Sequence, residues 1–522
     1  MAESDPVAPA SGSAASNAEL SSAETATQTH LEPVLFLEGN VTLIMGSNGL
    51  AIEGATDFFK RHQQSRVCGV STGKLPVITT IPYYDILWAS IDTELVIDYV
   101  TEKSTTKFRC ARLTYTLGDA TIVKSRAFVE AILSHAYGQA QRQRRAKVLI
   151  NPHAGPGGAI RLWEHDVKPI FEAARMTLDV VTTSRGGEGT EICEALDIDA
   201  YDVVVVCSGD GLAYEVFNGF GKRADARTAL QKVAVAHIPC GSGNAMSCNL
   251  NGSHHPGPSA LAVVKGVRTS MDLMSVTQGS ERMLSFLSQS VGIIAEADLG
   301  TENMRWLGAA RFDIGVAQRI FGRKVYPCDI AIKVEIENKS EVKAHYKRIQ
   351  DGEQGQEQEG LSTSSSHSKH DAGEGLPPLR FGTVNDSIPQ DWQVASYDKL
   401  GNFYCGNMAW VAPTANFFPG ACINDGLMDV VTNDGDIPIL KYANLMRSVE
   451  TGKFFDNPLA SYRKVVAYRF TPRNQTDGYI SIDGERIPFK PFQVEIHPGL
   501  ATVLSKTGRY EAYGPPGWKE SV

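Results

Sequence analysis

Cysteine is scarce in this chain: nine in 522 residues, and scattered. No two form a CxxC pair and none joins histidine at zinc-ligand spacing, which excludes a zinc module and a disulfide scaffold and fits a reducing compartment. Cys207 and Cys240 sit in apolar strand ends, the place of small core residues. No apolar run is long enough to cross a membrane, and the N-terminus lacks the basic and apolar regions of a signal peptide. The expected location is therefore cytoplasmic, with any contact to intracellular membranes or the plasma membrane peripheral. Positive charge is also short. The first lysine or arginine is Lys60 and the formal net charge is −9, the wrong sign for a general nucleic-acid binder. What is present is a hydrophobic content of 42% over a length that suits two or three domains.

Residues 1–30 are rich in Ala, Ser, Thr and Glu and read as a disordered tail, with too little apolar surface to offset ordering entropy. Residues 31–120 carry short β-like runs separated by turns, among them Val34–Leu37, Val41–Ile44, Ile86–Ala89 and Leu95–Val100. They predict a small β-rich domain resembling a pleckstrin-homology module, a cap or docking domain without a catalytic cluster. Residues 124–145 read as a linking helix with Phe128, Ile132, Leu133 and Ala136 on one face. The basic run Gln141–Lys147 suits a solvated helix end or a meeting with anionic lipid.

Residues 146–273 alternate strand and helix, the rhythm of a parallel sheet with right-handed crossovers. Val203–Val206 is a run of four valines, as a strand buried on both faces requires. Each strand runs into a polar, glycine-rich turn: Asn151-Pro152-His153 to Gly158, Thr183 to Gly186-Gly187, Ser208-Gly209-Asp210-Gly211, and Gly241-Ser242-Gly243-Asn244. The first is neither a P-loop nor a GxGxxG fingerprint, and any one of them alone is ordinary turn chemistry. Side by side on one sheet edge they would offer backbone N–H groups to a polyphosphate, with Asp210 able to take a proton from a hydroxyl.

In this order and spacing, Asn151-Pro152…Gly157-Gly158, Ser208-Gly209-Asp210-Gly211 and Gly241-Ser242-Gly243-Asn244 resemble the diacylglycerol kinase catalytic domain superfamily. Ser208 and Leu212 are most similar to the sphingosine kinase, or long-chain-base kinase, branch, in its longer fungal or plant form. The resemblance implies an α/β plus β fold: a parallel-sheet nucleotide-binding domain, then an antiparallel β-sandwich lipid-binding domain over residues 274–510, interrupted by a disordered low-complexity insert at about 340–390.

It also implies roles. Asp210 is the expected base, within a substrate turn of Ser208, Gly209 and Gly211. Asp298 and Ser288, ten residues apart, hold the polar head of the lipid. ATP is framed by Asn151, Pro152, His153, Thr183, Gly186, Gly187, Glu215, Gly241, Ser242, Gly243, Arg305, Arg311, Asp483, Gly484 and Glu485. On pattern alone, Asp298, Glu302 and Arg305 also read as a surface i, i+4, i+7 stripe, and Asp483-Gly484-Glu485 as a plain hairpin.

The expected activity is transfer of the γ-phosphate of ATP to the primary hydroxyl of a sphingoid base (sphingosine, dihydrosphingosine or phytosphingosine). Mg²⁺ is implied by the chemistry, with no self-sufficient metal cage in the sequence. The expected partners are ATP, the sphingoid lipid and a membrane surface, without nucleic acid; a homodimer is left open. The rivals are a diacylglycerol or ceramide kinase with a neutral acceptor, an NAD kinase, and a non-catalytic lipid-sensing scaffold.

Overall fold

Strand Val203–Ser208 is buried along its whole length because both of its faces are covered. Val203, Val205 and Cys207 pack into one apolar core, while Val204 and Val206 pack into another with Leu212, Val216 and Phe217 of helix Asp210–Gly221. That two-sided burial is the physical reason for the valine run. In the computed structural model, residues 34–37, 41–54, 77–117, 122–300, 324–352 and 374–512 are described, with a few isolated positions in 315–322 and 514–518.

The strand pairs in parallel with Arg145–Ile150 on one side and Ala234–Pro239 on the other, and Thr177–Thr182 lies outside Arg145–Ile150. Ser208 stands opposite Pro239, Cys207 opposite Ile150, and Ile150 opposite Thr182. All four following turns therefore leave from one edge. The first strand in sequence is internal, with the second on one side of it and the third on the other. Connections diverge at such a point, and open α/β sheets bind ligands there.

The sheet does not stop at Ala234–Pro239. That strand also runs parallel to Phe492–Ser505, meeting it at Val235 and Val503. Phe492–Ser505 in turn pairs antiparallel with Val267–Gln278 and Ser461–Pro472. Strands Met428–Asp434, Leu400–Gly406, Ser288–Gly292, Ile480–Ile482 and Glu485–Ile487 continue the order, giving one mixed sheet of 15 strands. The antiparallel part curls over its own core. Gln289 donates to Met274 and accepts from the Tyr468 hydroxyl, though their three strands are not neighbours in the sheet. The two halves expected as successive domains thus share a strand.

The N-terminal region forms two antiparallel sheets, of four strands from Val34–Leu37 to Val77–Pro82 and of three from Ile86–Ile91 to Lys107–Thr116. Helix Ile122–Tyr137 packs against them. Their apolar residues join one core with Trp163, Phe171 and Leu261 of the α/β part, so the region is built onto that half.

Three expected boundaries move. The linking helix ends at Tyr137, eight residues earlier than read from its periodicity. The basic run beyond it is structural: buried Arg144 donates to the carbonyls of Val263, Val264 and Gly266, and Arg145 opens a strand paired to Asp202. The Arg144 contacts lie more than a hundred residues away and leave no local trace. The insert is narrower than about 340–390. Lys339–Gln350 is a helix that buries Val342 and Tyr346, and the amides of Arg380 and Phe381 donate to Glu495. Lastly, residues 283–295, a single strand-like run in the sequence, form the end of strand Glu281–Ser285, strand Ser288–Gly292 (Gly292 φ +101°) and the start of helix Ile293–Leu299. The tail 1–30, with Glu302, Arg305 and Arg311, lies outside the described residues.

Lys265 joins the N-terminal region to the rest. Its buried ammonium donates to Ile86 O and to Ala136 O (3.0 Å), and it stands 3.9 Å from the centroid of the Tyr137 ring. Burial pushes its pKa down to about 7, with Asp85 opposing. A lysine depressed on folding is better protonated in the unfolded chain, so its penalty is full below pH 7 and fades as pH rises from 7 towards 10.5. Wild-type protein is expected to gain stability from pH 7 to 9 relative to Lys265→Met. Thermal melts of both proteins across that range check it, and parallel curves would refute it.

Candidate active site

Two of the four turns touch backbone to backbone. A Cβ on Gly241 would stand 2.3 Å from the Gly209 Cα, and one on Gly209 would stand 2.7 Å from the Gly243 carbonyl oxygen. Only glycine allows this approach. Asp210 then fastens the turns together. Its amide donates to Gly243 O at 3.1 Å, and its carboxylate accepts from the amides of Ala245 (2.8 Å) and Met246 (3.0 Å). Those amides open helix Ala245–Leu250, whose first donors would otherwise be unpaired. Asp210 is 7% exposed, so little of its carboxylate beyond these bonds faces outward. Asn244 closes the second turn by accepting from Gly241 N and donating to Gly241 O.

The other turns are arranged by neighbours. Asn151 accepts from the amide of His153 through its side chain, and its own amide donates to Cys207 O. Pro152 lies between them. Thr183 is buried, with both amide and hydroxyl directed to Ile150 O. Glu215 accepts from the amides of Gly187 and Gly189, both at 2.9 Å, which ties the Asp210 helix to the Gly186-Gly187 turn. These two side chains hold turns in place, a role that the resemblance did not assign. Gly186, Ser242 and Gly243 are exposed on the edge.

The hairpin Asp483-Gly484 comes from the antiparallel half. Asp483 (φ +51°) and Gly484 (φ +88°) form a two-residue turn of the kind that Asp-Gly favours. Buried Asp483 accepts from the Ser285 hydroxyl (2.6 Å) and from the amides of Phe286, Leu287 and Ser288. Burial pushes it up to about 6, against the lowering by these four donors. Gly484 lies near Asp298, and the Ser481 hydroxyl donates to Asp298 at 3.4 Å. A Cβ on Gly211 would stand 3.5 Å from Glu485 Oε1, so the hairpin reaches the Asp210 turn.

Tyr404 lies in strand Leu400–Gly406. Its phenol is held above the ordinary value, first by burial and then by the carboxylates of Asp298, Asp483 and Asp210, while a bond with the Ser288 side chain opposes. The structure thus brings Asp210, Ser288, Asp298 and Asp483 around one tyrosine. Tyr404, Ser285 and His237 escaped sequence reasoning because their partners are remote in sequence. Asn244 carried a signal, an Asx residue closing a glycine turn.

Among the described residues, no helix is long and apolar enough to cross a membrane, and no group of three or more His, Cys, Asp or Glu is arranged to hold a metal ion.

Residues 145–276 match the family model of the diacylglycerol kinase catalytic domain, and residues 33–138 match that of a domain of unknown function. The chain is 34% identical over 427 residues to sphingoid long chain base kinase 5 of Saccharomyces cerevisiae, covering 73% of this chain and 62% of that protein, under two thirds of its length. It is 33% identical over 448 residues to sphingoid long chain base kinase 4 of Schizosaccharomyces pombe, covering 85% of this chain and 92% of that protein. A putative diacylglycerol kinase from Bacillus anthracis superposes with a TM-score of 0.47 at 15% identity, over 69% of this chain and 97% of that one.

The glycine contact is testable against an open glycine on the same edge. Gly241→Ala forces a methyl into the Gly209 backbone and is expected to cost about 1–3 kcal/mol or to prevent folding. Gly186 has nothing within 4 Å of its Cβ position, so Gly186→Ala is expected to change stability by less than about 0.5 kcal/mol. Denaturant melts of the two variants check the contrast.

Proposed function

The chain belongs to the sphingoid long-chain-base kinase family, and on that premise we propose that it transfers the γ-phosphate of ATP to the primary hydroxyl of a sphingoid base, giving the 1-phosphate. The observation that carries this reading is the meeting of two sets of groups. The phosphate-type turns converge on Asp210, and the antiparallel half brings Ser288, Asp298 and Glu485 to the same place.

In this reading the polyphosphate lies along the exposed edge of Gly186, Ser242 and Gly243, whose backbone can approach it closely. Arg305 and Arg311 reach the phosphate oxygens and neutralise charge in transfer. Mg²⁺ would enter with the nucleotide and would supply neutralisation of the charge on its phosphates during transfer. Asp298 holds the ammonium of the base through a charge-assisted bond, and Ser288 holds a hydroxyl. Asp210 accepts the hydroxyl proton as the oxygen attacks phosphorus. The antiparallel half receives the acyl-like tail, which supports peripheral contact with the membrane from which such a lipid must be drawn.

Asp210→Asn is expected to abolish transfer, since an amide does not take the proton. Because asparagine keeps one acceptor for the Ala245 and Met246 amides, a stability loss of about 1–3 kcal/mol accompanies it. Radiolabelled transfer beside a thermal melt separates the two effects, and near-normal turnover would sink the base assignment.

Asp298→Asn is expected to lower kcat/KM for sphingosine by about 1.5–3 kcal/mol, the range for hydrogen bonds to charged groups. The apparent KM for ATP should change little. The same assay across sphingoid bases, ceramide and diacylglycerol tests the acceptor class. Equal use of the neutral lipids by wild type would leave only the broader lipid-kinase reading.

A further inference from the structure

His237 stands opposite Val206 in the central sheet and is 1% exposed. Its Nε2 is 3.0 Å from the Ser208 carbonyl oxygen. A carbonyl only accepts, so Nε2 carries a hydrogen, and in a neutral ring Nδ1 then carries a lone pair. Nδ1 has no hydrogen-bond partner among the described residues, and 3.8 Å away stands Asp210 Oδ1. Burial lowers the pKa of the ring, the Asp210 carboxylate opposes, and the net direction is down, which keeps the ring neutral. Cys248, which also lies near Asp210, stays neutral because burial pushes its thiol up to about 12. From the other packed elements, the groups facing the ring are the Asp210 carboxylate and the Ser208 carbonyl; Asn251 donates to the His237 backbone oxygen only.

Two acceptors therefore face each other in a buried place. A buried acceptor without a donor costs about 1–3 kcal/mol, and what is missing between these two is one proton. We propose that His237 is a positioning residue for the transfer step, whose Nδ1 accepts a hydrogen bond from Asp210 once Asp210 has taken the proton of the acceptor hydroxyl.

The inference rests on the reading of Asp210 as base. The acceptor O–H bond breaks and its oxygen forms a bond to the γ-phosphorus. The bond from that phosphorus to the β,γ-bridging oxygen breaks, and ADP leaves with the electron pair. The proton resides on Asp210 Oδ1, directed at His237 Nδ1, and returns to water as the products leave. Oδ1 keeps its bond from the Met246 amide throughout, since an oxygen that donates still has a lone pair to accept.

Two substitutions separate this role from a structural one. In His237→Gln the amide nitrogen can replace Nε2 and keep the bond to Ser208, while nothing replaces Nδ1. In His237→Asn an amide atom can replace Nδ1, while the bond to Ser208 is given up. The measurement is kcat against pH for sphingosine at saturating ATP–Mg²⁺.

An O–H···N bond favours protonated Asp210, so its loss lowers the proton affinity of Asp210. His237→Gln is expected to lose about tenfold or more in kcat at pH 7, with its acidic limb moved about one unit to lower pH and KM for ATP unchanged. His237→Asn is expected to keep its limb closer to that of wild type. Wild-type kcat and an unmoved limb in His237→Gln would overturn the proposal, as would a loss confined to His237→Asn.

Should either variant fail to fold, ¹⁵N-histidine spectra of the wild type decide. At pH 7 the His237 ring must be neutral with hydrogen on Nε2; hydrogen on Nδ1 overturns the proposal. Turnover by Asp210→Asn would remove the base reading itself, an outcome distinct from any of these.

Discussion

Gly209 and Gly241 meet with no side chain between them, held there by the bonds of Asp210 and by the amides of Cys240 and Gly241, which donate to Ser208 O. Asp210, two positions past a parallel strand, starts its own helix and supplies the acceptor for the first amides of another helix. The Asp210 carboxylate is therefore held in place by two backbone amides of the fold. In the proposed role of base, a carboxylate held this way loses little freedom when substrate arrives, which favours reaction from a fixed geometry. The same bonds set the spacing of the two turns, so the proposed phosphate edge and the proposed proton acceptor are parts of one construction.

The second constraint is the strand Phe492–Ser505. It is parallel to a strand of the α/β half and antiparallel to its neighbours in the other half, so neither half can shift without disturbing a shared ladder. The Asp483 hairpin uses that rigidity. Its carboxylate gathers three successive amides and a hydroxyl from residues 285–288, fixing where Ser288 stands, while Glu485 reaches the Gly211 turn. The N-terminal region is coupled as firmly. It shares a core with helix Pro256–Val264, and Lys265, just past that helix, bonds back to it.

Much of this was legible in local patterns. The valine run and the glycine turns after four strands follow from side-chain period and turn chemistry, which operate over a few residues, whereas the antiparallel second half was implied by the family resemblance. Boundaries were less legible. Helix Lys339–Gln350 was read as part of a low-complexity insert because its polar face dominates the composition, while the Val342 and Tyr346 stripe is sparse. The basic run at 141–147 invited an electrostatic reading because nothing near it shows that Arg144 ends on the carbonyls of residues 263–266.

By itself the sequence determined the turns, their glycines, and the carboxylate and amide side chains that could do chemistry on them, because each depends on φ, ψ and neighbours in the chain. Which turns touch was decided only by the tertiary structure. Asp483 finds Ser285 across 198 positions, Asp210 finds Ala245 across 35, and His237 turns its ring to Ser208 across 29. Contacts at that separation arise when the sheet sets strand order and register, and no short pattern encodes either. The valines at 203–206 state that a strand is buried on both sides; which two cores bury it is a property of the assembled molecule.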